Sequence, residues 1–491
     1  MKEQLARAEE AVAALRANRN DRWYPVFHIA APAGWINDPN GVSFFKDRYQ
    51  VYFQHHPYST VWGPMHWGHV SSTDMITWKR EPIAFAPSIE ADRDGVFSGS
   101  AVPSPNGETL YVYYTGHRWA NGVNEDEGND QVQCMATSTD GISFEKHGVI
   151  VKGPDELPHF RDPKVWQIGD TWYMVFGACS AQNRGQVWLY TSTDMEEWAF
   201  DSVLFEDPDP DAFMLECPDF FPLGDKWVLA YCPMGPKASG YANRNGHNAG
   251  YVVGNWAPGE PFVQTKEYTL ADWGHNFYAP QSFEAPDGRR IQYGWMGSFV
   301  QPLATQASDG WSGQLTIARE LSLGADDQLV AWPITEMERL RTSTEEFGDL
   351  TVGHNETLRL AEDAQCVEIE LELDVAASTA DRVGLQIHKT KGGQHTYVYY
   401  DDLAGRVGID SRLGYTGEKG YRAAAVHGDK LQLRIFVDRG SIEVFANGGT
   451  TTLTSFSFPD EGPRAIELCS ENGIATISGL RVHTLRTIWE D

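Results

Sequence analysis

Five times in the first two thirds of the chain, the alternation of apolar and polar positions condenses into an aromatic, β-rich run. The runs are RYQVYFQ from Arg48, TLYVYYTG from Thr109, TWYMVFG from Thr171, KWVLAYC from Lys226 and RRIQYGW from Arg289, about 55 to 63 residues apart. Period-two alternation of this kind predicts half-buried strands. Each run follows turn residues (Lys46-Asp47, Asn106-Gly107, Gly169-Asp170, Gly224-Asp225, Pro286-Asp287) and, before them, another strand-like segment, so the repeated unit is a hairpin. Three hairpins lead into a second echo: SSTDMITW from Ser71, TSTDGISF from Thr137 and TSTDMEEW from Thr191. Asp74, Asp140 and Asp194 within them suit turns in which a short carboxylate accepts backbone N–H bonds. Four strands per repeat and five repeats predict a five-bladed β-propeller.

The texture changes near Thr351. CVEIELELDV, the run HTYVYYDD from His395 and KLQLRIFVDRGSIEVFANGG alternate over short strands, which predicts a β-sandwich. At the other end, Leu5, Ala8, Val12 and Leu15 form the stripe of an amphipathic helix suited to docking on the body of the protein or on another copy. The expected fold class is therefore all-β: a helix over 1–22, a propeller over 23–335, a helical linker over 336–348 and a sandwich over 349–491. No acid cluster stands out in the sandwich, which is assigned a supporting role.

Composition narrows the function. The chain of 491 residues is too long for one ordinary core. Its formal net charge of −29 opposes nucleic acid and anionic membrane as partners, and no apolar run reaches the length of a membrane helix. A small neutral substrate fits best, and only the N-terminal helix points toward a homo-oligomer. Six scattered cysteines form no C-x-x-C pair, and the first residues lack an apolar signal region, so reduced thiols and a cytoplasmic location are expected.

Seven or eight residues before each turn stand Asp38, Ser98, Asp162, Glu216 and Tyr278, all polar and all read as the same place in their blade. First strands of propeller blades line the axis, so Asp38, Asp162 and Glu216 are expected to face one pocket. Alone, Asp38 in WINDPNG reads as a turn residue, Arg161-Asp162 as a buried ion pair and Glu216 as a solvated acid; their common register argues otherwise. Such carboxylates could bind a metal, bind sugar hydroxyls or split a glycosidic bond. The D-x-D-x-D-G spacing of a calcium loop is absent, and His28, His55, His56, His66 and His69 lack H-E-x-x-H spacing, so no metal or cofactor is expected. Glycosidic cleavage needs one ionised and one protonated carboxyl, and burial beside two aspartates would raise the pKa of Glu216 and suit it to the acid role. Trp35, Trp62, Phe97, Tyr278 and Trp295 are candidate apolar faces for a sugar.

WINDPNG, FSGS, RDP, ECPD, FYAPQSF and VDRGSIEVF, in this order, make the chain resemble glycoside hydrolase family 32, the invertase and β-fructofuranosidase family. The resemblance implies a retaining β-fructofuranosidase acting on sucrose and short fructo-oligosaccharides. It implies Asp38 as nucleophile, Glu216 as general acid/base and Asp162 as a stabiliser of the fructosyl unit. Trp35, Asn37, Gln54, Trp62, Phe97, Ser98, Arg161, Tyr278 and Trp295 are implied as substrate-binding. A sucrose-6-phosphate hydrolase of the same mechanism is the alternative, a non-catalytic carbohydrate-binding propeller a remoter one, and an inverting arabinan-cleaving propeller a further rival. Asn276 departs from the family's Asp-Phe-Tyr-Ala, placing an amide where a carboxylate is common, beside the expected pocket. His55 and His56 also depart and carry no catalytic role.

Overall fold

A computed structural model describes residues 1–154, 157, 159–414, 417 and 419–490. Among these, the repeat becomes five antiparallel sheets whose first strands are Gly34–Phe45, Gly95–Pro103, Phe160–Ile168, Met214–Leu223 and Tyr278–Glu284. Each first strand lies against the next, and the fifth against the first, so the sheets close into a ring of blades around one axis. The short strand Trp311–Ser312, past the second strand of blade 5, pairs in parallel with Gly34 and Trp35, which ties the end of the propeller to its beginning. The Ser/Thr-Asp echoes form Asx turns: Asp74 Oδ1 accepts from Ile76 N and Thr77 N, and Asp140 and Asp194 accept from the equivalent amides.

The second domain is a sandwich of two six-stranded sheets. Ile369, Leu385, Ile435, Val444, Leu453 and Ile466 are among the residues of its core. The helical linker expected over 336–348 is helical only in its first part. A 3-10 turn covers Thr335–Leu340, and Arg341–Val352 is already a sandwich strand, paired with Ala475–Leu485. The β-branched Thr342 and Thr344 sit more easily in that ladder than in a helix. The N-terminal helix, Lys2–Arg16, buries Ala8 and Val12 against Ile83 of this same chain, and Glu9 accepts from the Ile83 amide at 2.7 Å. No helix among the described residues is long and apolar enough to cross a membrane. The six cysteines are unpaired.

A buried polar network, missed at the level of sequence, joins the domains. His28, at the entrance to the propeller, places Nδ1 2.8 Å from Asp438 and Nε2 2.9 Å from Glu443, both in the VDRGSIEVF hairpin. Arg319 of blade 5 donates to the same Glu443 at 2.5 Å and to Asp272 at 3.1 Å, and Asp272 also accepts from Thr454. Burial opposes a charge on His28, but its hydrogen bonds to Asp438 and Glu443 outweigh burial and raise its pKa to about 9.

A histidine held protonated by folding stabilises fully below its ordinary value of 6.5, and that stabilisation is lost as pH rises through about 9. Thermal unfolding of the wild type is therefore expected to move to lower temperature across this window, and His28→Gln to flatten the profile. His28→Ala, which strands two buried carboxylates, is expected to cost ~3–5 kcal/mol. A variant as stable as wild type in calorimetry at pH 6 would refute the role.

Candidate active site

Every inner strand breaks its ladder at the same level. Ile36 pairs with His55 and Pro39 with Phe53, so one extra residue is accommodated between them. The same happens between Val96 and Gly99, Arg161 and Lys164, Glu216 and Asp219, and Tyr278 and Gln281. A β-bulge bends a strand and re-aims its side chains. In blades 3, 4 and 5 the first bulged residue, Asp162, Cys217 or Ala279, takes a positive φ of 70°, 49° or 47°, and a proline follows each. In blade 2, Gly99 closes the bulge where a Cβ would lie 1.9 Å from the Tyr113 carbonyl oxygen.

This register corrects the expectation that the five polar residues are equivalent. Asp38 and Ser98 are second in their bulges and Asp162 is first, whereas Glu216 and Tyr278 are the last paired residues before theirs. They meet because of the bulges, not because of one shared position. Asp38 Oδ2 accepts from Ser98 Oγ at 2.6 Å and Oδ1 from Asn37 Nδ2 at 3.0 Å, and Asn37 is itself fixed by Trp35 Nε1 at 2.7 Å. Asp162 Oδ2 accepts from the Cys217 amide at 2.9 Å, and the Cys217 thiol also faces Asp38 at 3.4 Å. Glu216 Oε1 accepts from Arg161 Nη2 at 2.8 Å and Nε at 3.2 Å, while Oε2 accepts from the Tyr278 hydroxyl. Arg161 is aligned by Gln131 and His159.

These environments separate the three acids. Burial raises the Asp38 pKa, and the Ser98 and Asn37 hydrogen bonds only partly offset it. Burial, with Glu216 and Asp38 nearby, raises Asp162 to about 7 against the pull of Arg161. Glu216 goes the other way from the sequence expectation: burial pushes it up, but the Arg161 charge and the Tyr278 hydrogen bond prevail and hold it below the usual glutamate range. Glu216 is therefore held ionised near neutral pH.

The carboxylates lie at a cavity of about 940 Å³, near the top of the usual ligand-site range of about 300–1,000 Å³. Of the residues expected to bind substrate, Asn37, Gln54, Trp62, Phe97, Ser98 and Arg161 line it. Trp35, Tyr278 and Trp295 do not: they are almost wholly buried behind the wall, Trp35 packed on Trp295 and Tyr278 holding Glu216. Asn276 is not beside the cavity either; it accepts from the Phe456 amide of the sandwich at 3.0 Å. His55 and His56 bond to the backbone carbonyls of Trp35 and Val61.

Sequence reasoning missed Gln131, His159 and Phe299, which also line the cavity, together with His117 and Trp119 from the 116–130 segment and His247 from the 236–248 loop, two segments that the sequence marks as candidate leaving-group subsites. Their signal was weak, because they belong to second and third strands and to loops, outside the first-strand register. Trp62, Phe97 and Trp119 form an aromatic group at one part of the wall, and Phe299 with His247 another. Burial depresses His117 to about 3 and His159 to about 4, so both are neutral near pH 7. Among the described residues no group of His, Cys, Asp or Glu could hold a metal ion.

The chain is similar to known proteins over nearly its full length. The model of the glycosyl hydrolases family 32 N-terminal domain matches residues 28–333, and that of the family 32 C-terminal domain residues 336–484. A sucrose-6-phosphate hydrolase of Escherichia coli is 45% identical over 96% of this chain and 97% of its own length. A raffinose invertase of Escherichia coli is 42% identical over 97% and 98%. Among solved structures, a family 32 β-fructofuranosidase from Bombyx mori superposes with a TM-score of 0.86 at 31% identity, with 100% of both chains covered. The chain is a glycoside hydrolase and belongs to glycoside hydrolase family 32.

Proposed function

We propose that the protein is a retaining β-fructofuranosidase that removes the terminal fructosyl unit from sucrose and short fructo-oligosaccharides. The observation that carries this reading is the division of labour among the cavity's carboxylates. Asp38, held by Ser98 and Asn37, suits the nucleophile that attacks the fructosyl C2. Glu216, the last paired residue before the bulge of blade 4 and partly open to the cavity, suits the group that protonates the departing oxygen and then activates water. Arg161 and Tyr278 favour its anion, the form that activates water, while desolvation by a bound sugar favours the protonated form that the first step needs. Asp162, beside both, accepts hydrogen bonds from fructosyl hydroxyls. A Bombyx mori relative, 31% identical, is described in complex with sucrose, which supports the substrate class.

The leaving group is proposed to be neutral. Among the described residues, Arg161 is the only Arg or Lys that lines the cavity, and its guanidinium is taken up by Glu216, His159 and Gln131. Glu125 and Glu127 are also part of the lining, where they repel a phosphate. Of the three residues of the 236–248 loop that could meet a phosphate, Lys237 is 82% exposed and pairs with Asp211, Arg244 does not line the cavity, and His247 lines it with its pKa lowered by burial. The names of several relatives favour the second reading, a sucrose-6-phosphate hydrolase. Six unpaired thiols support a reducing, cytoplasmic setting.

Asp38→Ala and Glu216→Ala should each lower kcat on sucrose by about 10²–10⁴-fold or more while remaining folded; near-normal release of fructose by either would sink the assignment. The kcat/KM for sucrose should exceed that for sucrose-6-phosphate, and Glu125→Gln with Glu127→Gln should narrow the gap; a marked preference for the phosphate ester would reverse the choice of leaving group. Asp162, with its pKa raised to about 7 from 3.8, contributes stability that is complete below 3.8 and is lost as pH rises through about 7. Asp162→Asn should therefore raise the melting temperature relative to wild type more at pH 8 than at pH 5, while slowing turnover. An equal shift at both values would show that its charge carries no burial penalty.

A further inference from the structure

The second sandwich sheet has an outer face that the hydrolytic reading does not use. Along strands Arg382–Lys389, Thr396–Asp401, Arg406–Asp410 and Tyr421–Ala425, Val383, Leu385, Val398, Val407 and Ile409 enter the core. Their neighbours Arg382, Tyr399, Asp401, Arg406, Gly408 and Tyr421 therefore face outward. Register sets Arg382 opposite Asp401, Asp401 opposite Arg406, and Tyr399 opposite Gly408. A Cβ on Gly408 would lie 2.8 Å from the Tyr399 ring and hydroxyl, so its absence lets the ring lie across the strand. The result is a groove of about 180 Å³, with Arg412 in its wall and Tyr241 reaching over from the propeller.

The charges of this groove are unequal. Arg382 pairs with Asp401 at 2.8 Å and Arg412 with Asp410 at 2.6 Å. Arg406 makes no ion pair among the described residues. Its guanidinium instead stacks 3.8 Å from the centroid of the Tyr241 ring. Stacking holds the guanidinium plane while leaving its N–H edge available for planar, two-point recognition of an oxyanion. Three arginines, Arg382, Arg406 and Arg412, line the groove with one carboxylate, Asp401, while Asp410 pairs with Arg412 and Glu471 lies opposite Arg382 across the ladder, so Arg406 is the arginine left to meet a ligand.

We propose that this groove is a binding site for a small oxyanion of the phosphate class, either free phosphate or the phosphate of a sugar ester, with Arg406 as its anchor. A neutral sugar is the weaker fit, because Asp401 and Asp410 are already engaged by arginines and offer few free acceptors.

The test is calorimetric titration of the full chain with inorganic phosphate and with fructose 6-phosphate, in excess fructose so that the hydrolytic cavity is filled. Saturable binding of one anion per chain is expected, weakened at least tenfold by Arg406→Gln, with sucrose turnover unchanged in that variant. Tighter binding of fructose 6-phosphate than of phosphate assigns the sugar ester, and equal binding assigns the free anion. Binding that persists in a folded Arg406→Gln variant, or no saturable binding of either probe, overturns the site. So does groove binding of fructose alone that is lost in Arg406→Gln. Because sucrose hydrolysis is read separately, failure here leaves the hydrolytic reading untouched.

Discussion

The site depends on one constraint: five inner strands crowd around a single axis, and near one end each must open its ladder. A bulge is how a β-strand admits an extra residue without ending the sheet, and all five strands place it at the same level. Asp38, Asp162 and Glu216 project where they do because of these breaks. The positive φ of Asp162 and Cys217 is the local strain that accompanies this placement; Asp162 lines the cavity, and buried Cys217 bonds to it and faces Asp38. Beneath them, buried Lys164 and Asp219 pair at 3.0 Å across blades 3 and 4, which gives the bulges a fixed base.

Three carboxylates in one buried cluster would repel one another if their surroundings were alike. Here each has its own donors: a hydroxyl and an amide for Asp38, a backbone N–H for Asp162, and a guanidinium and a phenol for Glu216. Opposite shifts for Asp162 and Glu216 follow from which side chain lies beside which acid. Tyr278 and Trp35 belong to the same scheme. They act on the cavity through Glu216 and Asn37, from behind its wall.

The sandwich is more than an appendage. Glu443 accepts from His28 at the start of the propeller and is bonded by Arg319 near its end, so one carboxylate joins both ends of the ring to the second domain. Breaking such a buried pair is destabilising because a charge is left without its partner. Asn276, read from sequence as a subsite change, belongs to this seam through its bond to Phe456.

What the sequence by itself determined is local or periodic. Period-two alternation, turn residues and the Ser/Thr-Asp echoes sufficed for five blades and a sandwich, because strand and turn chemistry depend on near neighbours. The three acids were legible because they recur at a nearly constant distance before each hairpin turn. Tertiary structure decided the rest. The one- and two-residue offsets among Asp38, Asp162 and Glu216 follow from bulges set by how strands pack around an axis. The ionised state of Glu216 depends on Arg161, 55 residues away. The bond between His28 and Asp438 spans 410 residues. Burial and electrostatics are properties of neighbours in space, and for these groups the neighbours come from other blades and another domain.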